Sequence, residues 1–524
     1  MPTLVRILLY GWLALFAIFT ATGPWQFGSY VLGDVSVFAG AVLLTFAVAA
    51  ISRDVRDFYA STLRRDVRLS NRVLGIALFG VTLFLLRVVW SRWFALEVNA
   101  WDLTINFDRP IESVLNGQLL YSEEFGMSML GNHASWLSFA FVPLYAIHPT
   151  PAWLLTAHAL AVAAGVAAVF ALFRHETGDD FTAVLIAGAF LFNRYVAKAT
   201  QYVYHPEIFY PVGLFLLYLA FLQRNRLRFV LALLLLVSIK EDAVIPIFGF
   251  ALTATFIYRR WRWSAAALAF AALVFMFNYF YVLPRFSGSV PGDPWYATYW
   301  KSFGDTPFQA LAGMIQQPAT VADRVLSGPV DIFFSLALMP LIGFEWLLAA
   351  LPGLLIYGSS DMGKLHWFTL YYAMPVLPPL FAAIAPAISR VARITRAVDQ
   401  RYARRVCAVV VLMASVLVGA GHVIREPHSD RSRIGPLRSL ASHVPATWVQ
   451  GAIFPHVGYD RRFHVLNERA QVDGRSAFLL SSELDPYIYD RSYIQQLIDR
   501  LSRDHRYRRV KSGSLFLFVP VRSG

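Results

Sequence analysis

The chain has 524 residues, 57% of them hydrophobic and 15% aromatic, with only 15% charged and a formal net charge of +13. Soluble domains carry about 25% charged residues, so this composition excludes a disordered chain, and the single Cys407 excludes an internal disulfide framework. The apolar residues come in runs of about 15–23 broken by short basic loops, which is the pattern of a polytopic membrane protein.

The first runs cover 4–22, 31–51 and 73–89. Arg6 is the only basic residue near the start of the first run, and no clear small-x-small cleavage site comes before Pro24. That run therefore reads as a retained anchor rather than a cleaved signal. After a long polar stretch, runs begin near Pro151, Phe181, Ile208, Leu227, Ala243 and Trp263; after a second polar loop they begin near Pro329, Glu345, Trp367 and Val406. The expected total is about 13 spans. Several are short, notably 227–239 and the pair around Pro340 and Pro352. Short, Pro- or Gly-broken helices are tolerated where their backbone is buried in protein or lines a wet cavity. The apolar stretch 134–147 is too short to span and reads as an interfacial helix on the outer face.

Basic residues set the orientation. One set of alternate loops holds Arg53 to Arg72, then Arg174, Arg224 to Arg228, Arg259 to Arg262 and Arg390 to Arg405. By the positive-inside rule these loops are cytoplasmic. The N-terminus is then inside and the C-terminus outside, in a bacterial inner membrane. The positive charge is a topology signal, and no nucleic-acid partner is expected. From about residue 425 the composition changes, with strand-like runs at 448–454, 477–480 and 515–521 and a helical stretch at 493–504. Open sheet edges cannot face lipid, so this is a small extracytoplasmic α/β domain. The expected division is a helix pair with its basic loop at 1–72, a transmembrane core at 73–424 with an outer loop at 91–150, and the outer domain at 425–524.

With that orientation, the unusual polar residues gather on the outer side. They are Asp102 in the long loop, with Asp108 six residues on, then Gly131-Asn132-His133, His205-Pro206-Glu207, Lys240-Glu241-Asp242, and His366 ahead of the Tyr371-Tyr372 pair. Ionisable groups at membrane depth are costly and mark sites or wet cavities. Each cluster has a plainer reading. Asp102 serves equally as a helix N-cap, His133 as an interfacial residue with a satisfied ring, Pro206-Glu207 as the first turn of a helix, and Lys240 as an ammonium held by its neighbours Glu241 and Asp242. The plain readings must explain each cluster separately, on one side of the membrane. A P-loop, a His-Glu-x-x-His helix and a Gly-x-Ser-x-Gly elbow are all missing from the sequence.

The order of these features resembles the GT-C superfamily of membrane glycosyltransferases, which includes the protein O-mannosyltransferases and the lipid A aminoarabinose transferases. More closely, the stretch from Trp101 to about Phe250 resembles domain-of-unknown-function family 2079. The resemblance is carried by Asp102, Gly131 to His133, His205 to Glu207 and Lys240 to Asp242, with the Tyr-rich segment after His366 and the tail from Phe454 to Leu466. The resemblance implies an all-α, GT-C-like membrane core with a small α/β outer domain. It further implies transfer of a sugar from a polyprenyl-phosphate donor to a glycan, lipid or protein acceptor. Asp102 is then the acceptor-activating base, and His133, His205, Glu207, Lys240, Glu241, Asp242 and His366 bind substrate or phosphate. Many GT-C enzymes carry two adjacent acids where this chain has Asp102 alone, so a divalent cation is admitted but not required. Two other classes fit the polar clusters: a transporter or flippase with the clusters along its pathway, and a non-catalytic envelope-assembly protein working through its outer tail.

Overall fold

The computed structural model describes residues 68–98, 100–288, 295–328, 331–394, 399–419, 434–444, 446–486 and 489–521. The expected helix pair at 4–51 and the basic residues from Arg53 to Arg65 lie outside the described residues.

The membrane core is helical. Its centre is α1 (Asn71–Phe94), α2 (Ala152–Thr177), α3 (Asp180–Phe192), α4 (Tyr210–Leu222), α5 (Arg226–Ile239) and α6 (Val244–Leu252). It is completed by α7 (Trp261–Phe277), α8 (Phe344–Gly358), α9 (Leu377–Ile394) and α10 (Gln400–Gly419). Local chemistry sets the boundaries. Gly178 ends α2 in the left-handed conformation at φ 64°, as C-terminal glycines do. Asp179 then caps α3 by accepting from the Thr182 amide at 3.1 Å, and Asn225 caps α5 by accepting from the Arg228 amide at 3.0 Å. The Asp179 carboxylate also pairs with the Arg405 guanidinium, which is fully buried. This ties α10 to the α2–α3 turn.

By length and composition, four helices among the described residues can cross a membrane: Asn71–Phe94, Ala152–Thr177, Trp261–Ser287 and Leu377–Ile394. A fifth span arises if Asp180–Phe192 and Arg194–Gln201, bent by 52° at Asn193, act as one. Full-length helices among the described residues therefore do not confirm the expected count of about 13. Several of the other apolar runs among the described residues are interrupted by residues that break helices. Lys240 is extended between α5 and the turn that follows. Ala337 and Leu338 adopt positive φ within the run after Pro329, and Pro352 sits inside α8.

Short helices α4 and α5 connect two chemically distinct ends. α4 starts after Glu207 and ends before Arg224, while α5 starts at Arg226 and ends before Lys240. Thirteen residues of helix rise about 20 Å, so the Arg-rich turns lie at the opposite end of the bundle from the His205 and Lys240 turns. The 134–147 stretch forms a 3-10 segment, Trp136–Phe141, followed by a short helix, Val142–Ile147.

The C-terminal segment contains a five-stranded sheet. In chain order its strands are β1 (Thr447–Val449), β2 (Phe463–Val465), β3 (Ala477–Ser481), β4 (Tyr507–Ser512) and β5 (Leu515–Pro520). The spatial order is β2-β1-β3-β5-β4. β1 runs parallel to β2 and β3, and β5 is antiparallel to β3 and β4. Strands β2 and β4 were not expected; β2 is only three residues long, and β4 alternates exposed basic residues along an edge. Side chains alternate across the sheet. Phe478, Leu480 and Phe518 face Ile494, Leu497, Ile498 and Leu501 of α11 (Arg491–Arg503). On the other face Leu479, Leu515 and Leu517 share a core with Leu96, Ala100 and Ile105 of the loop that follows α1. The C-terminal sheet is thus built onto the loop that follows α1.

Candidate functional site

A cavity of about 700 Å³ opens at the end of the bundle away from the Arg-rich turns. It brings together Asp102, His133, His205 and Glu207, and with them Lys240, Glu241 and Asp242, from four separate segments of the chain.

Asp102 lies in the first turn of a π-helical segment, Trp101–Asp108. It is not an N-cap: that position belongs to Ala100, and no side chain caps the segment. Its carboxylate instead accepts from the Tyr202 hydroxyl and, at 3.3 Å, from the Asn106 amide. π-Turns are frequent at functional sites, and here the segment places Trp101, Asp102 and Asn106 on the cavity wall.

Pro206 opens a 3-10 turn with Glu207 in its first turn, so the plain reading of that motif describes its backbone correctly. The side chains do more. Glu207 is buried and accepts from Lys240 Nζ at 2.9 Å through one oxygen while its other oxygen pairs with His205 Nδ1. The His205 ring stacks on Tyr371 with centroids 3.5 Å apart and planes 13° apart. The hydrogen-bonded partner of Lys240 is therefore Glu207, 33 residues earlier in the chain, and not the adjacent acids. Those acids are engaged elsewhere. Glu241 accepts from the Ala134 amide and pairs with His133 Nδ1, each at 2.9 Å. Asp242 accepts from the Tyr210 hydroxyl and, at 3.0 Å, from the Tyr357 hydroxyl.

The role of Gly131 is steric. A Cβ there would lie 2.4 Å from the Ser287 backbone nitrogen, so only glycine lets the 131–133 turn seat against Leu283–Ser287 and deliver His133 to Glu241. His366 is not brought into the cavity. Its Nδ1 meets the Gly358 carbonyl at 2.6 Å, while its neighbours Lys364 and Leu365 line the wall. Asp108 is also absent from the lining; it accepts from the hydroxyls of Tyr145 and Tyr459, each at 2.6 Å. Burial raises the Asp108 pKa to about 6, against the opposing pull of these hydroxyls and Arg109.

Sequence reasoning passed over Tyr202, Asn106, Tyr210 and Tyr357. Tyr202 stands three residues before His205 on the same turn and was open to inference, whereas nothing in the sequence marks Tyr357 as a partner of Asp242. Among the described residues no group of three His, Cys, Asp or Glu side chains is arranged to hold a metal ion.

The profile of the predicted membrane protein family DUF2079 matches residues 92–449. No curated protein matches the sequence. Among solved structures, ArnT from Cupriavidus metallidurans bound to undecaprenyl phosphate is similar, with a TM-score of 0.51 and 11% identity over 87% of this chain and 99% of that one. ArnT from the same organism in the apo state gives a TM-score of 0.46 and 12% identity over 84% and 98% of the two chains. At this identity the likeness concerns the fold, which is ArnT-like across most of the chain.

Proposed function

We propose that this chain, which belongs to the DUF2079 family of predicted membrane proteins, is a membrane glycosyltransferase taking its sugar from a polyprenyl-phosphate donor at the extracytoplasmic face. The observation that carries the reading is the pairing, in one cavity, of a carboxylate held by neutral donors, Asp102, with an ammonium, Lys240. The ArnT-like fold supports it, as does the cavity rim. Phe308 and Leu311 line the cavity and remain 54% and 49% exposed, which suits a donor arriving sideways from the bilayer.

In the proposed reaction the acceptor hydroxyl attacks the anomeric carbon as the bond from that carbon to the phosphate oxygen breaks. The bonding pair leaves with the phosphate, the hydroxyl proton passes to Asp102, and the configuration inverts. Lys240 has three donors, one of which is taken by Glu207. Its charge stabilises the departing phosphate in a site where little water screens it. Glu207 and His205 hold the ammonium in place. Glu241 and His133 fix the turn opposite, and Asp242 with its two tyrosines anchors the start of α6.

Native mass spectrometry of the purified protein with added polyprenyl phosphate tests the reading. The wild type should retain the lipid and Lys240→Met should lose it. A wild type that binds neither co-purified nor added polyprenyl phosphate overturns the proposal.

A further inference from the structure

The outer domain has no residue among the cavity's ionisable groups, yet it is bonded to the segment that carries Asp102. The Arg109 guanidinium, directly after the π-helical segment, donates to the carbonyls of Gly458 at 3.1 Å and Phe463 at 3.3 Å and lies 4.2 Å from the centroid of the Phe454 ring. Gly458 has φ +80°, a left-handed turn that glycine adopts freely. Asp108 receives the Tyr459 hydroxyl at 2.6 Å. Ile105 is buried in the same apolar core as Phe454, Phe463 and Leu517, with Trp101 packed against it. One side of the segment is thus sealed into the outer domain, while Asp102 and Asn106, also on it, line the cavity.

We propose that the outer domain is a positioning device for Asp102, with Arg109 as the positioning residue that carries the coupling. Arginine suits this role because its rigid fork of donors bridges two carbonyls at once, which lysine does not reproduce. The Ile105 contact and the two residues at the C-terminal end of the segment, Asp108 and Arg109, hold the segment where its wide turn aims the carboxylate at the Tyr202 hydroxyl. The role of Asp102 as base rests on the function proposed above; the coupling itself does not.

The test uses the full-length protein in detergent with Cys407→Ala, which removes the only native thiol. In that background Asp102→Cys reports the position of the segment through its rate of labelling by a water-soluble maleimide. Leu311→Cys, on a different cavity wall, serves as the control. Adding Arg109→Gln should change the labelling rate at Asp102→Cys several-fold and leave the rate at Leu311→Cys as it was. Tyr459→Phe, which removes one hydroxyl, should shift it in the same direction by less and keeps the test usable if Arg109→Gln does not fold. Equal rates at Asp102→Cys with and without these substitutions overturn the proposal. So do parallel changes at both reporters, which mean general loosening. Neither sugar nor lipid enters this readout, so it can fail or succeed independently of polyprenyl-phosphate binding.

Discussion

The hydroxyl of Tyr202 hydrogen-bonds the carboxylate of Asp102, joining two turns 100 residues apart at the mouth of a single cavity. Asp102 is thus held by two neutral donors, Tyr202 and Asn106, whereas Glu207 is held by a lysine.

Asp102→Asn keeps an oxygen to accept from Tyr202 and removes the ionisable group. The variant should melt within a few degrees of the wild type and transfer sugar about 10²–10⁴ times more slowly. Near-normal transfer by a folded Asp102→Asn protein removes Asp102 from the mechanism.

Lys240→Met leaves Glu207 buried with His205 as its partner, and breaking a buried ion pair costs about 3–5 kcal/mol. Lys240→Met combined with Glu207→Gln removes both charges and should recover most of the lost thermal stability. It should not recover lipid-phosphate binding measured by native mass spectrometry. Recovery of both would make the pair a purely structural strut.

Asp108 yields a pH dependence. Its pKa is raised from 3.8 to about 6, so the folded protein holds a proton that the unfolded chain has released between those values. The contribution is fully present below about pH 4 and is lost as pH rises through about 6, by on the order of 3 kcal/mol. Thermal unfolding of wild type against Asp108→Asn between pH 4 and 7 should show the wild type losing ground over this window. Parallel curves would show that Asp108 does not carry the effect.

Orientation is open to the same single-thiol strategy. In a Cys407→Ala background, Glu123→Cys should react with a membrane-impermeant reagent in intact cells, and Arg226→Cys only after the membrane is broken. The reverse pattern would put the cavity on the cytoplasmic side and exclude an extracytoplasmic transferase.

The sequence made much of the membrane core legible, because a buried charge in an apolar run has few explanations. His133, His205, Glu207 and Lys240 stood out for that reason, and the structure brings all four to one cavity. What could not be read was the pairing. Lys240 has two acids beside it, and proximity in sequence favoured them. The backbone at Lys240 is extended, with φ −164° and ψ 160°, and neighbouring side chains point apart in an extended chain. His366 illustrates the converse, since an outer-turn histidine is drawn away by a backbone carbonyl. The count of spans is not confirmed; among the described residues the apolar runs of α4 and α5 look like spans but end early at charged turns. The sheet order of the outer domain was not legible because its face toward Leu96, Ala100 and Ile105 depends on residues over 300 positions away.

The length of α4 and α5 also bears on the lipid around the protein. With their Arg224 and Arg226 ends at one interface, about 20 Å of helix crosses only part of a hydrocarbon layer about 30 Å thick. If α5 runs along the bilayer normal, Lys240 then lies short of the far headgroups, among the acyl chains. A phosphate can meet that lysine only by sinking or by finding the bilayer locally thinned, and mismatch of this kind carries a modest free-energy cost for each ångström. On the proposed function, bilayer thickness would then act as a control: short-chain lipids would bring headgroup and ammonium to one level, and long-chain lipids would hold them apart.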